Sequence, residues 1–208
     1  MSAPPDPVQT VFVVDDDEFV REALETLIEV AGWRARTFAS ADLFLACPPA
    51  QGPNCLVLDV NLPGLSGLDL QAAIADARGD MPIIFITGHG DIPMSVRAMK
   101  AGAAEFLTKP FAEEVLLDAI AAALERSRVA VGDRQVLQAL RDRYATLSPR
   151  EREVMGLVVR GLLNKQVGGE LGITEITVKK HRGRVMEKMR ARSVADLVKF
   201  SSSLGGAG

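Results

Sequence analysis

The segment Val8-Gln9-Thr10-Val11-Phe12-Val13-Val14-Asp15-Asp16-Asp17 decides the reading of the first half of the chain. A β-branched and aromatic run stops abruptly at three consecutive carboxylates, the pattern of a buried strand whose carboxyl end opens on a polar site. Four more short runs read as strands follow, at Arg34 to Phe38, Cys55 to Asp59, Ile83 to Thr87 and Glu105 to Thr108. Between the first two, Phe19, Val20, Ala23, Leu24, Leu27 and Ile28 recur at helical spacing, and Gly32 stops that helix. A last helix is predicted from about Phe111 to Arg126, with Val115, Leu116, Ala119, Ile120, Ala123 and Leu124 along one face. Short strands alternating with amphipathic helices predict an α/β fold, a doubly wound five-stranded parallel sheet flanked by five helices.

The 208 residues suffice for two domains of about 100 residues each. Residues 1–128 hold 9 Lys and Arg against 19 Asp and Glu, a net charge of −10, whereas residues 129–208 hold 15 against 8, a net +7. That asymmetry predicts an acidic, cation-binding half joined to a half that meets a polyanion. No apolar stretch approaches the ~20 residues that span a bilayer, and Met1 to Pro7 lack the blocks of a signal peptide, so no membrane association and a cytoplasmic location are expected. Cys47 and Cys55 are too few for a disulfide framework and are read as reduced thiols, Cys55 a buried one.

A break at Gly132-Asp133 is expected to lead into a polar helix, Arg134 to Tyr144, whose thin stripe of Leu137, Leu140 and Tyr144 suits a short coiled-coil seam or packing against a neighbouring domain. From Leu147 the pattern is helical throughout. Ser148-Pro149-Arg150-Glu151 combines a capping serine, a first-turn proline and a glutamate three residues after the cap. That helix should end at Gly161. Asn164 is expected to cap a short second helix ending at Gly172, Thr174 a long third one to about Met189, and Ser193 with Asp196 to start a fourth. The resulting division is a disordered tail over 1–7, an α/β domain over 8–128, a helical linker over 129–146, an all-α domain over 147–203 and a flexible tail over 204–208, with mobility expected from Ser201 onward.

Ligands of open parallel sheets gather at the carboxyl ends of the strands. Asp15, Asp16 and Asp17 follow the first strand, Asp59 ends the third, Thr87 ends the fourth and Lys109 follows the fifth. Two unit charges ~4 Å apart repel by about 1 kcal/mol in water and about 4 kcal/mol at an effective dielectric of 20, so the carboxylates require a cation among them. Oxygen ligands without His or Cys select a hard ion such as Mg²⁺. Asp59 then becomes a nucleophile toward phosphorus, with the metal and Lys109 neutralising the phosphoryl oxygens and Thr87 donating its hydroxyl to one of them.

Over about residues 8–126 the chain resembles the receiver domains of two-component response regulators. The resemblance rests on Val11-Phe12-Val13-Val14-Asp15-Asp16-Asp17, on Leu58-Asp59-Val60-Asn61-Leu62-Pro63-Gly64-Leu65-Ser66-Gly67, on Ile86-Thr87-Gly88-His89-Gly90-Asp91 and on Phe106-Leu107-Thr108-Lys109-Pro110-Phe111. It implies a flavodoxin-like fold, phosphorylation of Asp59 by a sensor histidine kinase, and Mg²⁺ held by Asp16, Asp59 and the Asn61 carbonyl, with Asp15 acting through water. It further implies a cis Lys109-Pro110 bond, pairing of Lys109 with the phosphoryl group, and a switch in which Thr87 moves toward the phosphate while Phe106 turns inward. Asn61 and His89 fall where the family tunes phosphate lifetime. The implied output face comprises the helix Asp91 to Ala101, the last strand and the following helix, with dimerisation on phosphorylation and Arg97 and Lys100 facing Glu113, Glu114 or Asp118.

In the second half, a short helix, a tight turn at Gly172-Ile173-Thr174 and a longer helix form the helix-turn-helix arrangement, whose second helix enters the major groove. Residues 163–192 carry 8 basic against 3 acidic side chains. Leu147 to Val154, Gly161 to Gln166, Leu171 to Thr174 and Thr177 to Arg182 resemble the LuxR-type output domain, and with the receiver the whole resembles the FixJ-like branch of the NarL/FixJ transcription regulators. The resemblance implies a homodimer on double-stranded promoter DNA, with RNA polymerase as a further partner. Lys179, Lys180 and Arg182 match groove-facing positions, and Arg184 adds to the basic helix. Thr177, His181 and Lys165 match phosphate contacts, while Val178, Val185 and Met189 should pack inward. Gly183 stands where some relatives carry a base-contacting lysine, and Gly168-Gly169 replaces an alanine-type pair at about 1 kcal/mol of helix propensity per glycine.

A haloacid-dehalogenase-like phosphatase using Asp15 as nucleophile fits less well. Gly90-Asp91 is followed four residues later by Ser95 rather than a second acid, and residues 147–203 would have no task. A small-molecule-sensing LuxR regulator expects an aromatic-lined cavity, which 1 Trp and 1 Tyr do not supply. The sequence is therefore read as a phosphorylation-dependent transcription regulator, a phosphoryl acceptor with at most slow self-dephosphorylation rather than an enzyme.

Overall fold

In the computed structural model, which describes residues 8–75, 78–88 and 92–205, each of the five expected strands is present. They are β1 (Thr10–Val14), β2 (Arg34–Phe38), β3 (Asn54–Asp59), β4 (Ile83–Thr87) and β5 (Glu105–Thr108). All pair in parallel, in the order β2-β1-β3-β4-β5. Connections in this half are the helices α1 (Glu18–Val30), α2 (Ala41–Ala46), α3 (Gly67–Ile74), α4 (Ile92–Lys100) and the start of α5 (Glu113–Ala145). The tails 1–7 and 206–208, and with them His89 and Asp91, lie outside the described residues.

Both faces of the central strands β1, β3 and β4 are covered, so they are buried along their length, whereas the edge strands β2 and β5 carry exposed polar residues. Alternate residues divide between the faces. Phe12, Val14, Leu56, Leu58 and Phe85 pack with Phe44, Leu70, Ile74 and Ala98 on one side. Val11, Val13, Cys55, Val57, Ile84 and Ile86 pack with Leu24, Ile28, Leu116, Ile120, Ala123 and Leu124 on the other. Phe19 departs from the expected stripe and is 81% exposed. It precedes Leu24 by five residues, which places it roughly 140° around the helix from that core contact. Cys47 and Cys55 are free and buried, and burial pushes the Cys55 thiol up.

The expected break at Gly132-Asp133 does not occur. The helix α5 continues through it to Ala145, although the chain divides into compact units at 1–132 and 133–208 within that helix. One glycine without a proline lowers helix propensity by about 1 kcal/mol, too little to stop a helix packed on both sides of it. Leu116, Ile120, Ala123 and Leu124 anchor the first part in the sheet domain. Leu140 and Tyr144 anchor the last part in the helical core, so this stripe serves packing.

The second unit then adds α6 (Pro149–Val159), α7 (Asn164–Leu171), α8 (Glu175–Met189) and α9 (Val194–Gly205). The Ser148/Glu151 capping box forms in both directions, at 3.2 and 2.8 Å. Thr174 caps α8, and Gly172 turns the chain into it at φ +64°. Asn164 is not the cap of α7. It lies one residue inside the helix, Gln166 takes the Leu163 N–H at 2.8 Å, and the Asn164 side chain accepts from Arg182 instead. Nor does the chain loosen at Ser201: α9 runs on to Gly205 because Phe200 and Leu204 pack on the helical core.

Candidate functional sites

The register of the sheet assembles the acidic site. β1 and β3 are neighbours with Val14 opposite Leu58, so Asp15 and Asp59 emerge side by side where the strand order reverses. β4 and β5 pair Thr87 with Thr108, which brings Lys109 to the same edge, and the Lys109 N–H donates to the Thr87 carbonyl at 2.7 Å. The Lys109 ammonium stands 2.8 Å from Asp15 Oδ2 and 3.3 Å from Asp59 Oδ2. Ligand oxygens of Asp15, Asp16 and Asp59 all lie within 4.8 Å of one another. Asp15 and Thr87 are fully buried, Asp59 is 8% exposed, and Asp16 faces solvent.

Backbone contacts fix these side chains. The Asp17 N–H donates to Asp15 Oδ1 at 3.0 Å and the Asn61 N–H to Asp59 Oδ1 at 3.1 Å. Asn61 Nδ2 donates to the Thr87 hydroxyl at 3.2 Å, tying two predicted site residues together. Asp17, third of the acidic run, instead caps α1 through the Phe19 and Val20 amides. Gly67 lets α3 start against Asp59: a Cβ there would meet the Asp59 carbonyl oxygen at 2.5 Å. Phe106 is half-buried, its ring centroid 6.2 Å from that of Phe85. The Lys109-Pro110 bond is cis.

Burial raises the Asp15 carboxyl above its ordinary range, outweighing the hydrogen bond from Lys109 that pulls the other way. Burial alone would lower the Lys109 ammonium, but the bond to Asp15 and the charges of Asp15 and Asp59 carry it above its usual value. Burial thus disfavours the charge on Asp15 while Lys109 favours it, and added positive charge beside the cluster would favour it further. All-oxygen donors converging from two carboxylate-bearing turns fit Mg²⁺. Sequence reasoning missed Arg21, whose Nη1 donates to the Asp15 and Asp16 carbonyls, each at 2.9 Å, and clamps the acidic turn. The only signal for it is its position one turn into α1.

In the helical unit, α8 packs inward through Val178, Val185 and Met189, each at most 1% exposed. Lys179, Lys180, Arg184 and Lys165 are exposed. The Thr177 hydroxyl lies 2.9 Å from that of Thr174 at the cap. His181 is half-buried, and its Nδ1 is enclosed without a hydrogen-bond partner among the described residues. Arg182 does not stand on the outer face: its Nη1 donates to Asn164 Oδ1 at 2.9 Å and ties α8 to the start of α7. At the far end of α8, Lys188 bonds Glu151 Oε2 at 2.6 Å and the Thr146 carbonyl at 3.0 Å. Gly168 permits the turn between α7 and α8, since a Cβ there would lie 2.8 Å from the Ile173 carbonyl oxygen.

A doubly wound domain with three aspartates and a lysine at its switch point, joined to a helix-turn-helix unit, defines a response regulator of transcription. Residues 11–121 match the response regulator receiver domain, and residues 145–201 match the bacterial regulatory proteins of the luxR family. The chain is 54% identical to Nodulation protein W of Bradyrhizobium diazoefficiens, covering 94% of this chain and 86% of that protein. It is 42% identical to Transcriptional regulatory protein FixJ of Rhizobium meliloti, over 94% of this chain and 96% of that one. Among solved structures, the response regulator StyR superposes with a TM-score of 0.84 at 48% identity, over 94% of this chain and 98% of StyR. The chain belongs to the NarL/FixJ family of response regulators, on its FixJ-like branch.

Proposed function

We propose that Asp59 accepts a phosphoryl group from a histidine of a sensor kinase and that the product state drives dimeric binding to promoter DNA. The observation that carries this is the Lys109 ammonium held within 3.3 Å of both Asp15 and Asp59 beside the three-carboxylate cluster. An Asp59 carboxylate oxygen forms the new P–O bond as the P–N bond to the kinase imidazole breaks. Asp15, Asp16, Asp59 and the Asn61 carbonyl would hold Mg²⁺, which supplies positive charge to the phosphoryl oxygens. Lys109 pairs with an oxygen of the transferred group, and Thr87 exchanges its bond from Asn61 for one to that group. Phe106 then follows into the space Thr87 leaves, biasing a two-state face of α4, β5 and α5 toward homodimerisation. No further catalysis is assigned beyond slow loss of the phosphoryl group.

The helical unit is assigned to duplex DNA. Lys179, Lys180 and Arg184 enter the major groove, while Lys165, Thr177 and His181 touch phosphates. Arg182 orients α8 through Asn164. Two units on a symmetric dimer meet a pseudo-palindromic site and engage RNA polymerase there. The working limits are 8–128 for the receiver, 129–146 for the linker and 147–203 for the DNA-binding domain, in a cytoplasmic protein. No described helix is long and apolar enough to cross a membrane.

The test is the intact mass of the wild type and of Asp59→Asn after a small phosphodonor with and without Mg²⁺, with size-exclusion on the same samples. An adduct that requires Mg²⁺, disappears in Asp59→Asn and shifts the protein toward dimer is expected. Absence of an adduct on the wild type would refute the phosphorylation step.

A further inference from the structure

On α8, the outer face has a composition that the basic side chains alone do not explain. Counting 100° per residue, Lys180, Gly183 and Glu187 lie within about 40° of Ile176 around the axis, and the buried Val178, Val185 and Met189 lie opposite. Lys179 and Arg184 flank this stripe. Ile176 itself is 83% exposed, in the first turn after the Thr174 cap. A single exposed apolar residue needs no explanation on an ordinary surface. Here its neighbours one turn on, Lys179 and Lys180, are exposed cations, and it stands at the end that reaches base edges when such a helix enters the major groove.

We propose that Ile176 is a specificity residue that reads the 5-methyl group of a thymine. The inference rests on the assignment of this unit to duplex DNA. A branched alkyl group neither donates nor accepts, and the one apolar group that base edges display in the major groove is the thymine methyl. Two further observations orient the helix. Lys188, near its C-terminal end, is engaged with Glu151 and the Thr146 carbonyl, and Glu187 places a negative charge on the outer stripe there. The positive end of the helix dipole lies at the N-terminal end, where Ile176, Lys179 and Lys180 stand, and favours phosphates there. Gly183 is exposed and a Cβ on it would meet nothing within 4 Å, so no side chain holds the helix off the groove floor one turn beyond Lys180. A close axis brings the short Ile176 side chain into methyl contact.

The experiment uses the full chain with phosphodonor and Mg²⁺ and a duplex selected from a random-sequence library. Each thymine of the selected site is replaced in turn by uracil, which removes only the methyl group. One symmetry-related pair of uracils should weaken the wild type by about three- to tenfold, the loss of one apolar contact per half-site. Ile176→Ala should weaken binding to the thymine duplex by a similar factor and be indifferent to the same uracils. Ile176→Val should retain a partial uracil effect. The salt dependence of binding should be the same in all three, since no phosphate contact is lost. A uracil penalty that persists in Ile176→Ala, or no sensitive thymine for the wild type, overturns the contact while DNA binding stands. Failure of the wild type to enrich any sequence or to show salt-dependent binding overturns the DNA assignment and the contact with it.

Discussion

Two adjacent glycines in α7 should respond to alanine with opposite signs. Each replacement in a helix interior gains about 0.8–1.0 kcal/mol of intrinsic propensity. At Gly169, exposed, with nothing within 4 Å of an added Cβ, that gain is unopposed. At Gly168 the added carbon would lie 2.8 Å from the Ile173 carbonyl oxygen and 3.7 Å from the Glu175 amide nitrogen. The obstacle is backbone, and it is tethered, because the Ile173 N–H donates to the Gly168 carbonyl at 3.0 Å and Gly172 holds the turn at φ +64°. Relieving the contact means moving the turn, an overpacking cost of about 1–3 kcal/mol that cancels or exceeds the propensity gain. Gly169→Ala should therefore stabilise by up to about 1 kcal/mol, and Gly168→Ala should destabilise by up to about 2 kcal/mol.

For a unit of this size 1 kcal/mol corresponds to about 4–8 °C in Tm, within reach of thermal unfolding on the full chain. The single Trp, Trp33, reports the sheet domain and the single Tyr, Tyr144, reports the helical unit, so the two transitions can be assigned. The Tyr144 transition should move in opposite directions for the two variants, with that of Trp33 unchanged. Because the same turn carries α8, Gly168→Ala should also weaken DNA binding and Gly169→Ala should not. Equal stabilisation by both would refute the close approach at Gly168.

Two further substitutions test the charge balance. In Mg²⁺-free buffer Asp15→Asn should raise stability at neutral pH by about 1 kcal/mol, because it removes a desolvated charge and leaves Lys109 paired with Asp59. The Asp15 pKa is raised by burial, so its charged form opposes folding above the usual carboxylate pKa, and the wild type should recover the difference as pH falls through the raised value. The same variant should lose most Mg²⁺-dependent labelling of Asp59 by a phosphodonor. Glu151→Gln should behave in the opposite sense, costing about 1–2 kcal/mol at neutral pH in urea unfolding. The hydrogen bonds from Lys188 and the Ser148 amide hold the Glu151 carboxyl below its usual pKa of 4.5, so its contribution is present above that value and fades as pH falls through the depressed one. A gap between wild type and Glu151→Gln that persists in acid would refute the charge-assisted bond.

The acidic site was legible because its residues belong to strand ends. Once Val11–Val14 and Leu56–Leu58 are read as buried parallel strands, the carboxyl-end rule places Asp15, Asp59, Thr87 and Lys109 on one edge without any knowledge of side-chain packing. The periodicity of α8 likewise gave its buried stripe, Val178, Val185 and Met189, because a helix has one period and the apolar positions fix its phase. What failed were assignments that depend on a choice between two partners. Asn164 has the chemistry of a cap, but Gln166 reaches the same amide from within the helix and leaves Asn164 to Arg182, eighteen residues away. Gly132 has the chemistry of a helix stop, but burial on either side of it outweighs one glycine.

The Arg182–Asn164 bond changes how the basic charge of the second half is divided. Charge counting treats the eight cations of residues 163–192 alike, yet Lys188 and Arg182 each spend their donors inside the unit. They tie α8 down at two points, its middle through Arg182 against α7 and its C-terminal end through Lys188 against the Ser148/Glu151 cap of α6. The exposed cations that remain are Lys179, Lys180 and Arg184 on α8, Arg190 and Arg192 just after it, and Lys165 on α7. A net charge of +5 in sequence is thus carried by fewer outward-facing cations than the count suggests. The overall charge of −3 divides into a basic helical unit with exposed cations along α8 and a receiver half of net −10 whose Asp15, Asp16 and Asp59 form an acidic cluster.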